Sequence, residues 1–297
     1  VKLLIKMVTA SFLTVVVLAL VFLLPAHLQV RAVSPALPSE ASLRALLQVD
    51  NAPVRVSYIS TSSQRSSAGV LGHNSVLVEW DNGDIVMIDA GMDEAQAREF
   101  GDLMKTVFGG EDPIVHGTIS QLLGEDIDRV KAVGFTHLHI DHTQGLSNFC
   151  NARGTGAVGL QLDYQRELHN FNTEEGADIV ATSCLEPIDI GVEGLLGVEQ
   201  YPGFAMYPLG GHTPGSTLFV VADGDRLLLF SGDITNNKSD LLNNKDKGPI
   251  YSYLLVPEST SRTAQLRLWL REMNGNDDME VVVAHDSEDM AQILQRF

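Results

Sequence analysis

The sequence predicts an α/β fold in which two β-rich layers are covered by helices on their outer faces. Three observations lead there. A chain of 297 residues with 44% hydrophobic content has enough apolar side chains for a sizeable core. Short β-rich runs followed by segments of helical apolar spacing occupy the first half, and the same order returns in the second. No short tandem repeat or low-complexity tract interrupts that pattern.

Taken from the N-terminus, Lys2 and Lys6 precede an apolar run over residues 7–24, followed by Pro25 and the small-residue pattern Val30-Arg31-Ala32. Residues 1–32 are therefore expected to be a cleaved signal peptide. An uncleaved N-terminal membrane anchor is the alternative, because the run approaches bilayer-spanning length. Residues 33–53, rich in Pro, Ser and Ala with a short amphipathic patch at 43–49, are expected as a linker, and the catalytic domain as residues 54–297. Residues 54–59, 75–80 and 85–88 are β-rich, and Asp81-Asn82-Gly83-Asp84 reads as the hairpin loop between the last two. Helical spacing over 93–108 and 119–128 comes next, with Asp93 as a cap before Glu94 and Gly109-Gly110 stopping the first helix. An apolar strand at 132–135 completes this half. The second half predicts strands at 204–208, 216–222 and 226–230, a helix over 261–273, a strand at 281–284 and a helix from Ser287.

The formal net charge of −18 repels a polyanion, and no Lys/Arg-rich run offers a phosphate-binding stripe, so nucleic acid is not an expected partner. Export would place the domain outside the reducing cytosol, where Cys150 and Cys184 are free to pair; two buried thiols are the alternative. Neither cysteine lies beside the histidine cluster that dominates the middle of the chain.

That cluster is Thr136-His137-Leu138-His139-Ile140-Asp141-His142, three imidazoles and a carboxylate directly after the strand at 132–135. Alternation in an extended segment points His137 and His139 the same way, and the following turn brings Asp141 and His142 to a neighbouring point. Imidazole and carboxylate are the donors that zinc accepts, and one loop of this kind can serve two metals. Further donors must come from elsewhere. Three candidates follow or border strands: His212 in Gly210-Gly211-His212-Thr213-Pro214-Gly215-Ser216, Asp233 in Phe230-Ser231-Gly232-Asp233, and His285 in Val283-Ala284-His285-Asp286. His27, His73, His116 and His169 stand alone and read as surface or core residues.

In order and kind, these motifs resemble those of the metallo-β-lactamase superfamily from about residue 54 onward. The resemblance implies a four-layer αββα sandwich with metals at one edge of its two sheets. It implies a first metal held by His137, His139 and His212, a second held by Asp141, His142 and His285, and Asp233 bridging both. Asp89, in Ile88-Asp89-Ala90-Gly91, matches a strand-end aspartate that supports such ligands. Two zinc ions are the expected cofactors, and iron or manganese suits the same donors. Zinc ions about 3.5 to 4 Å apart would share a bridging hydroxide that attacks a carbonyl carbon, with Asp141 as the catalytic residue that orients it and shuttles a proton.

Within the superfamily, acyl-homoserine lactonases are the nearest comparison, through Asp141-His142-Thr143-Gln144-Gly145, through Gly211-His212-Thr213-Pro214-Gly215-Ser216, and through the short end after His285-Asp286. One departure stands out: a tyrosine close after the bridging aspartate assists lactone binding in that group, whereas Ile234-Thr235-Asn236-Asn237 follows Asp233 here. Residues 236–258, mixing Lys238, Lys245 and Lys247 with Tyr251, Tyr253, Leu254 and Leu255, read either as a substrate lid or as a solvated surface loop. The expectation is an exported, periplasmic or secreted zinc hydrolase that opens an ester, lactone, thioester or related acyl bond of a small molecule. A β-lactam or phosphodiester hydrolase on the same fold, or a zinc-binding protein without turnover, is the alternative.

Overall fold

The computed structural model describes residues 2–66, 69–191 and 195–297. The first sheet takes β1 (Arg55–Ser66), β2 (Gly69–Glu79), β3 (Ile85–Ile88), β4 (Ile114–Val115), β5 (Val130–Gly134), β6 (Val158–Gln161) and β7 (Glu186–Asp189). The second takes β8 (Leu196–Gly197), β9 (Phe204–Pro208), β10 (Thr217–Asp223), β11 (Arg226–Phe230) and β12 (Met279–Val282), and a last strand, β13 (Gln295–Arg296), returns to the first. Strand orders are β13-β1-β2-β3-β5-β6-β7, with β4 on β1, and β12-β11-β10-β9-β8.

Alternation along the strands decides which side chains meet. Val86 and Ile88 of β3 face the second sheet with Val76 and Val78 of β2, and there they join Phe219 and Val221 of β10 and Phe204 of β9. Ile85, Met87 and Leu77 point the other way, onto helices that supply Ile119, Leu146, Phe149 and Val180. On the far side of the second sheet, Leu218 and Val220 pack on Leu266 and Leu270 of the helix Thr260–Met273. Two sheets buried on both faces therefore lie between two helical layers, the αββα sandwich. Burying each such Phe, Leu or Val contributes about 1.5–3 kcal/mol.

Several elements differ from the sequence expectation. β1 and β2 run well past their apolar stretches: Ser60 and Ser62 pair with β2 on either side of a bulge at Thr61, Ser62 and Ser63 pair with β4, and Ser60, Thr61 and Ser62 are buried although they carry no apolar alternation. β6 and β7 were not anticipated. The helix from Ile119 ends at Leu123 and continues as a 3-10 turn over Gly124–Arg129. Asp93 stands at the N-cap of α3 (Glu94–Phe108) without capping it through its side chain, while its backbone N–H donates to Gln144 Oε1.

Two helices precede β1: α1 (Lys2–Ala32), with Pro25 inside it, and α2 (Glu40–Arg44). The segment expected as a linker packs on the sandwich. Leu43 is fully buried in the outer core of the second sheet, and Arg44 pairs with Asp278 at 2.6 Å. A disulfide joins Cys150 to Cys184.

Candidate metal centre

β3 and β5 are parallel neighbours, so Asp89 and the His137–His142 loop leave the first sheet at the same edge. β11 and β12 are likewise parallel, and Asp233 and His285 leave the second sheet there. His212 arrives from the turn between β9 and β10. The backbone bond Thr217 N–H to Thr136 O, 2.7 Å, ties the two edges together. Gly232 adopts φ +57°, and a Cβ at that position would meet Thr136 Cβ at 2.9 Å, so only glycine lets the chain turn Asp233 inward here.

All seven expected donors converge. His137 Nε2 lies 2.9 Å from His139 Nδ1, and His137, His139 and His212 offer atoms within 4.8 Å of one another. A second triad adjoins it: His142 Nε2 is 3.3 Å from His285 Nε2, and Asp141 Oδ2 is 3.8 Å and 3.4 Å from those two nitrogens. Asp233 lies between the triads, with Oδ1 3.4 Å from His142 Nε2, and Oδ2 3.1 Å from His285 Nε2 and 3.8 Å from His212 Nε2. His212 Nε2 and Asp233 Oδ1 are buried with no hydrogen-bond partner. Unpartnered polar atoms are costly at such depth, so this donor set fits a bound cation. The cluster is a divalent-metal-binding site.

Most of the imidazoles are fixed from behind. Asp89 Oδ2 accepts from His142 Nδ1 at 2.9 Å while Asp89 also accepts from Thr136 N–H and Oγ1–H, and the residue holds φ +61° to do so. Gly72 O accepts from His285 Nδ1 at 2.7 Å. Glu258 Oε1 accepts from His212 Nδ1 at 2.6 Å, and its Oε2 accepts from Ser252 Oγ at 2.6 Å. Such outer contacts set tautomer and ring orientation.

Burial, reinforced by neighbouring imidazoles, holds His137 neutral and lowers His139 to about 3; burial and Lys247 lower His212. Neutral imidazole is the ligand form. His142 and His285 behave oppositely. Burial opposes their charge, but Asp89 and Asp141 raise His142 well above the usual range, and Asp233 with Asp141 raises His285 to about 10. Burial disfavours the Asp141 and Asp233 anions as well, yet the facing histidines keep both ionised well below the usual carboxylate range.

Four residues outside the expected set belong to the site. His73, read as an isolated histidine, lies on β2 with Asp141 and His285, donor atoms within 4.8 Å, and burial lowers it to about 3. Glu258 and Lys247 come from the segment 236–258: Lys247 Nζ is 3.5 Å from Glu258 Oε1 and 3.9 Å from Asp233 Oδ2. Tyr251 lies under Lys247 Nζ, 4.9 Å from its ring centre, and burial, then Glu258 and Asp233, raise its phenol well above the usual range. No spacing rule finds these four, because each reaches the cluster through the fold; the mixed Lys and Tyr content of 236–258 was the one local signal.

In front of the donors opens a cavity of about 430 Å³. Asp141, Asp233, His139, His285 and His73 form its floor, and its walls are largely apolar, including Leu71, Phe100, Leu103, Val107, Phe171, Tyr251 and Leu255. The segment 236–258 thus supplies part of the wall.

Residues 68–285 match the metallo-beta-lactamase superfamily. No curated protein matches the chain. Among solved structures, an N-acyl homoserine lactone hydrolase with the product N-hexanoyl-L-homoserine at its catalytic metal centre is 18% identical, TM-score 0.60, over 83% of this chain and 98% of that one. A mutant of AiiA from B. thuringiensis with N-decanoyl-L-homoserine at its active site gives the same identity, TM-score and coverage. AidC, a dizinc quorum-quenching lactonase, is 14% identical, TM-score 0.52, over 73% and 74%. These similarities establish a shared fold.

Proposed function

The chain belongs to the metallo-beta-lactamase superfamily and is a metal-dependent hydrolase, and from that premise we propose an exported dinuclear zinc enzyme that opens an ester, lactone, thioester or related acyl bond of a small molecule. One observation carries the reading: two adjoining sets of His and Asp donors, with Asp233 between them, open through His139, Asp141, Asp233 and His285 onto a mostly apolar cavity. His137, His139 and His212 would hold one zinc, Asp141, His142 and His285 the other, and Asp233 both. Bound zinc supplies Lewis acidity, which polarises a carbonyl and makes water nucleophilic near neutral pH.

The chain's own groups do the rest. Asp141, ionised at the cavity floor, orients the attacking water and accepts its proton. Tyr251 remains a phenol in the cavity wall, available to donate to the carbonyl or leaving-group oxygen, and it enters from a position 18 residues after Asp233. The apolar wall excludes water and accommodates an acyl chain. N-acyl homoserine lactone is the first substrate to try, since the related folds named above carry its product. The Cys150–Cys184 disulfide supports an oxidising compartment and hence export.

The test is metal content per chain of protein purified without added metal, alongside hydrolysis of a lactone, an ester, a thioester, a phosphodiester and a β-lactam. Two zinc ions and chelator-sensitive turnover of an acyl substrate are expected. Preference for the phosphodiester or β-lactam would replace the substrate class, and one metal or none without turnover would remove the dinuclear reading.

A further inference from the structure

The last turns of α1 are built into the catalytic domain. Ala26, Val30 and Val33 are buried, and Val30 is wholly so. His27 Nε2 bonds the carbonyl of Tyr253 at 3.1 Å, and the Phe22 ring lies 4.5 Å from Phe171, a residue of the cavity wall. Just beyond the helix, Arg262 Nη2 donates to Pro35 O. Val33 O runs so close to Gly210, two residues before His212, that a Cβ there would come within 2.4 Å. Cleavage near Val30-Arg31-Ala32, the sequence expectation, would pull Val30 from a filled seat and free the chain that braces the His212 turn.

The other end of α1 does the opposite. Phe12, Leu13, Val17, Leu18, Leu20 and Val21 are all exposed, and the helix is apolar around its whole circumference. A helix of that kind belongs in lipid. From Met7 to Leu24 it rises about 27 Å at 1.5 Å per residue, close to the thickness of a hydrocarbon core of about 30 Å. Lys2 and Lys6 at its start would stay on the cytoplasmic side, leaving the domain across the membrane.

Where α1 meets the domain, exposed apolar side chains form a rim next to residues that line the cavity, Ile250 and Leu254 beside Tyr251 and Leu255 in the chain. Ile250 is 64% and Leu254 57% exposed on one side; Leu103 and Val107 of α3, at 58% and 51%, also line the cavity itself. The apolar lining therefore continues from Asp141 and His285 out to this rim. A net charge of −18 makes water, not apolar surface, the natural neighbour of the protein's exterior, so such a rim marks a contact.

We propose that α1 is retained as a membrane anchor and seats this rim on the bilayer, so that the acyl substrate enters the cavity sideways from the lipid. The seating stands on α1 and the rim alone; the substrate, a long-chain acyl amphiphile dissolved in the membrane, rests on the hydrolase reading above.

The test uses the full chain reconstituted in phosphatidylcholine vesicles. The described residues contain no free cysteine, so Leu254→Cys can carry a polarity-sensitive fluorophore, with Asn82→Cys, in the turn at the far end of β3, as the control. The Leu254 label is expected to shift to the blue and to be quenched by nitroxide lipids, and the Asn82 label is not. Emission at position 254 matching that at 82 would overturn the seating. For substrate entry, Ile250→Glu with Leu254→Glu is expected to slow hydrolysis of a vesicle-borne long-chain lactone or ester about tenfold, with a short, water-soluble analogue unaffected. Equal loss on both, or no loss, would overturn lateral entry. If the unmodified protein cleaves neither, the hydrolase reading fails and lateral entry with it, while the fluorophore still decides the seating.

Discussion

Glu258 is the carboxylate on which the His212 side of the centre depends, and truncating it separates two of its effects. In Glu258→Ala, His212 Nδ1 and Ser252 Oγ lose their 2.6 Å acceptors and Lys247 Nζ loses its 3.5 Å neighbour, all of them buried. Stranding a buried charge costs about 3–5 kcal/mol, and the lower end applies because Asp233 stays 3.9 Å from Lys247. Freeing the back of a ligand imidazole costs about 10–100-fold in metal affinity. Glu258→Ala should therefore lose about 3 kcal/mol in urea denaturation and bind zinc about 10–100-fold more weakly in competition with a chromophoric chelator. Adding Lys247→Met removes the stranded charge and should restore most of the stability but none of the zinc affinity. Glu258→Gln keeps an acceptor for His212 and should fall between. Wild-type zinc affinity in folded Glu258→Ala would refute the positioning argument, and a double mutant no more stable than the single would refute the charge argument.

Asp141→Asn should lower kcat roughly 10²–10⁴-fold with at least one zinc retained per chain; complete metal loss would make Asp141 a ligand only. In metal-free protein His142 and His285 carry protons at neutral pH, so zinc loading should release about two protons, read by calorimetry in buffers of different ionisation enthalpy. The sign of the stability effect follows from the raised values. The contribution of His285 is fully present below its ordinary pKa of about 6.5 and is lost as pH rises through about 10, so metal-free protein should melt lower at pH 10 than at pH 6.5; a Tm rising across that window contradicts it. Cys150→Ser with Cys184→Ser opens a link between residues 34 apart and should cost roughly 3–4 kcal/mol with zinc content unchanged, since neither cysteine touches the donors.

The donors were legible in the sequence for a physical reason. His137, His139, Asp141 and His142 are dense in one loop at a strand end, a pattern that metal donors share, and Asp233 and His285 each follow an apolar strand that announces itself. The sandwich was legible where strands are apolar, as at β3, β10 and β11. It was not legible along Ser60–Ser66, where the Thr61 and Ser62 hydroxyls meet His73 and that of Ser63 meets His116, partners that only the fold brings near. His73 and Glu258 escaped for the same reason, since what makes them part of the site is distance in space, while Lys247 and Tyr251 were marked only as part of the mixed 236–258 segment, read as a lid or a solvated loop. The 33–53 segment misleads in the other direction, since its Pro and Ser content suggests slack chain while buried Leu43 and the Arg44–Asp278 pair hold it on the sandwich.

The seven donors are divided between the sheets, four hanging from the edge of the first and three from the edge of the second. Each cation held there, drawing donors from both sheets, would work as a rivet through that seam. Its binding free energy acts across the two halves and adds to the core they already share, so loading should raise the melting temperature of the sandwich as one unit, and chelation should loosen the metal-bearing edge first. The depth at which a chelator destabilises the chain is thus a mechanical property of where the edges meet, inherited from strands that contribute no ligand at all.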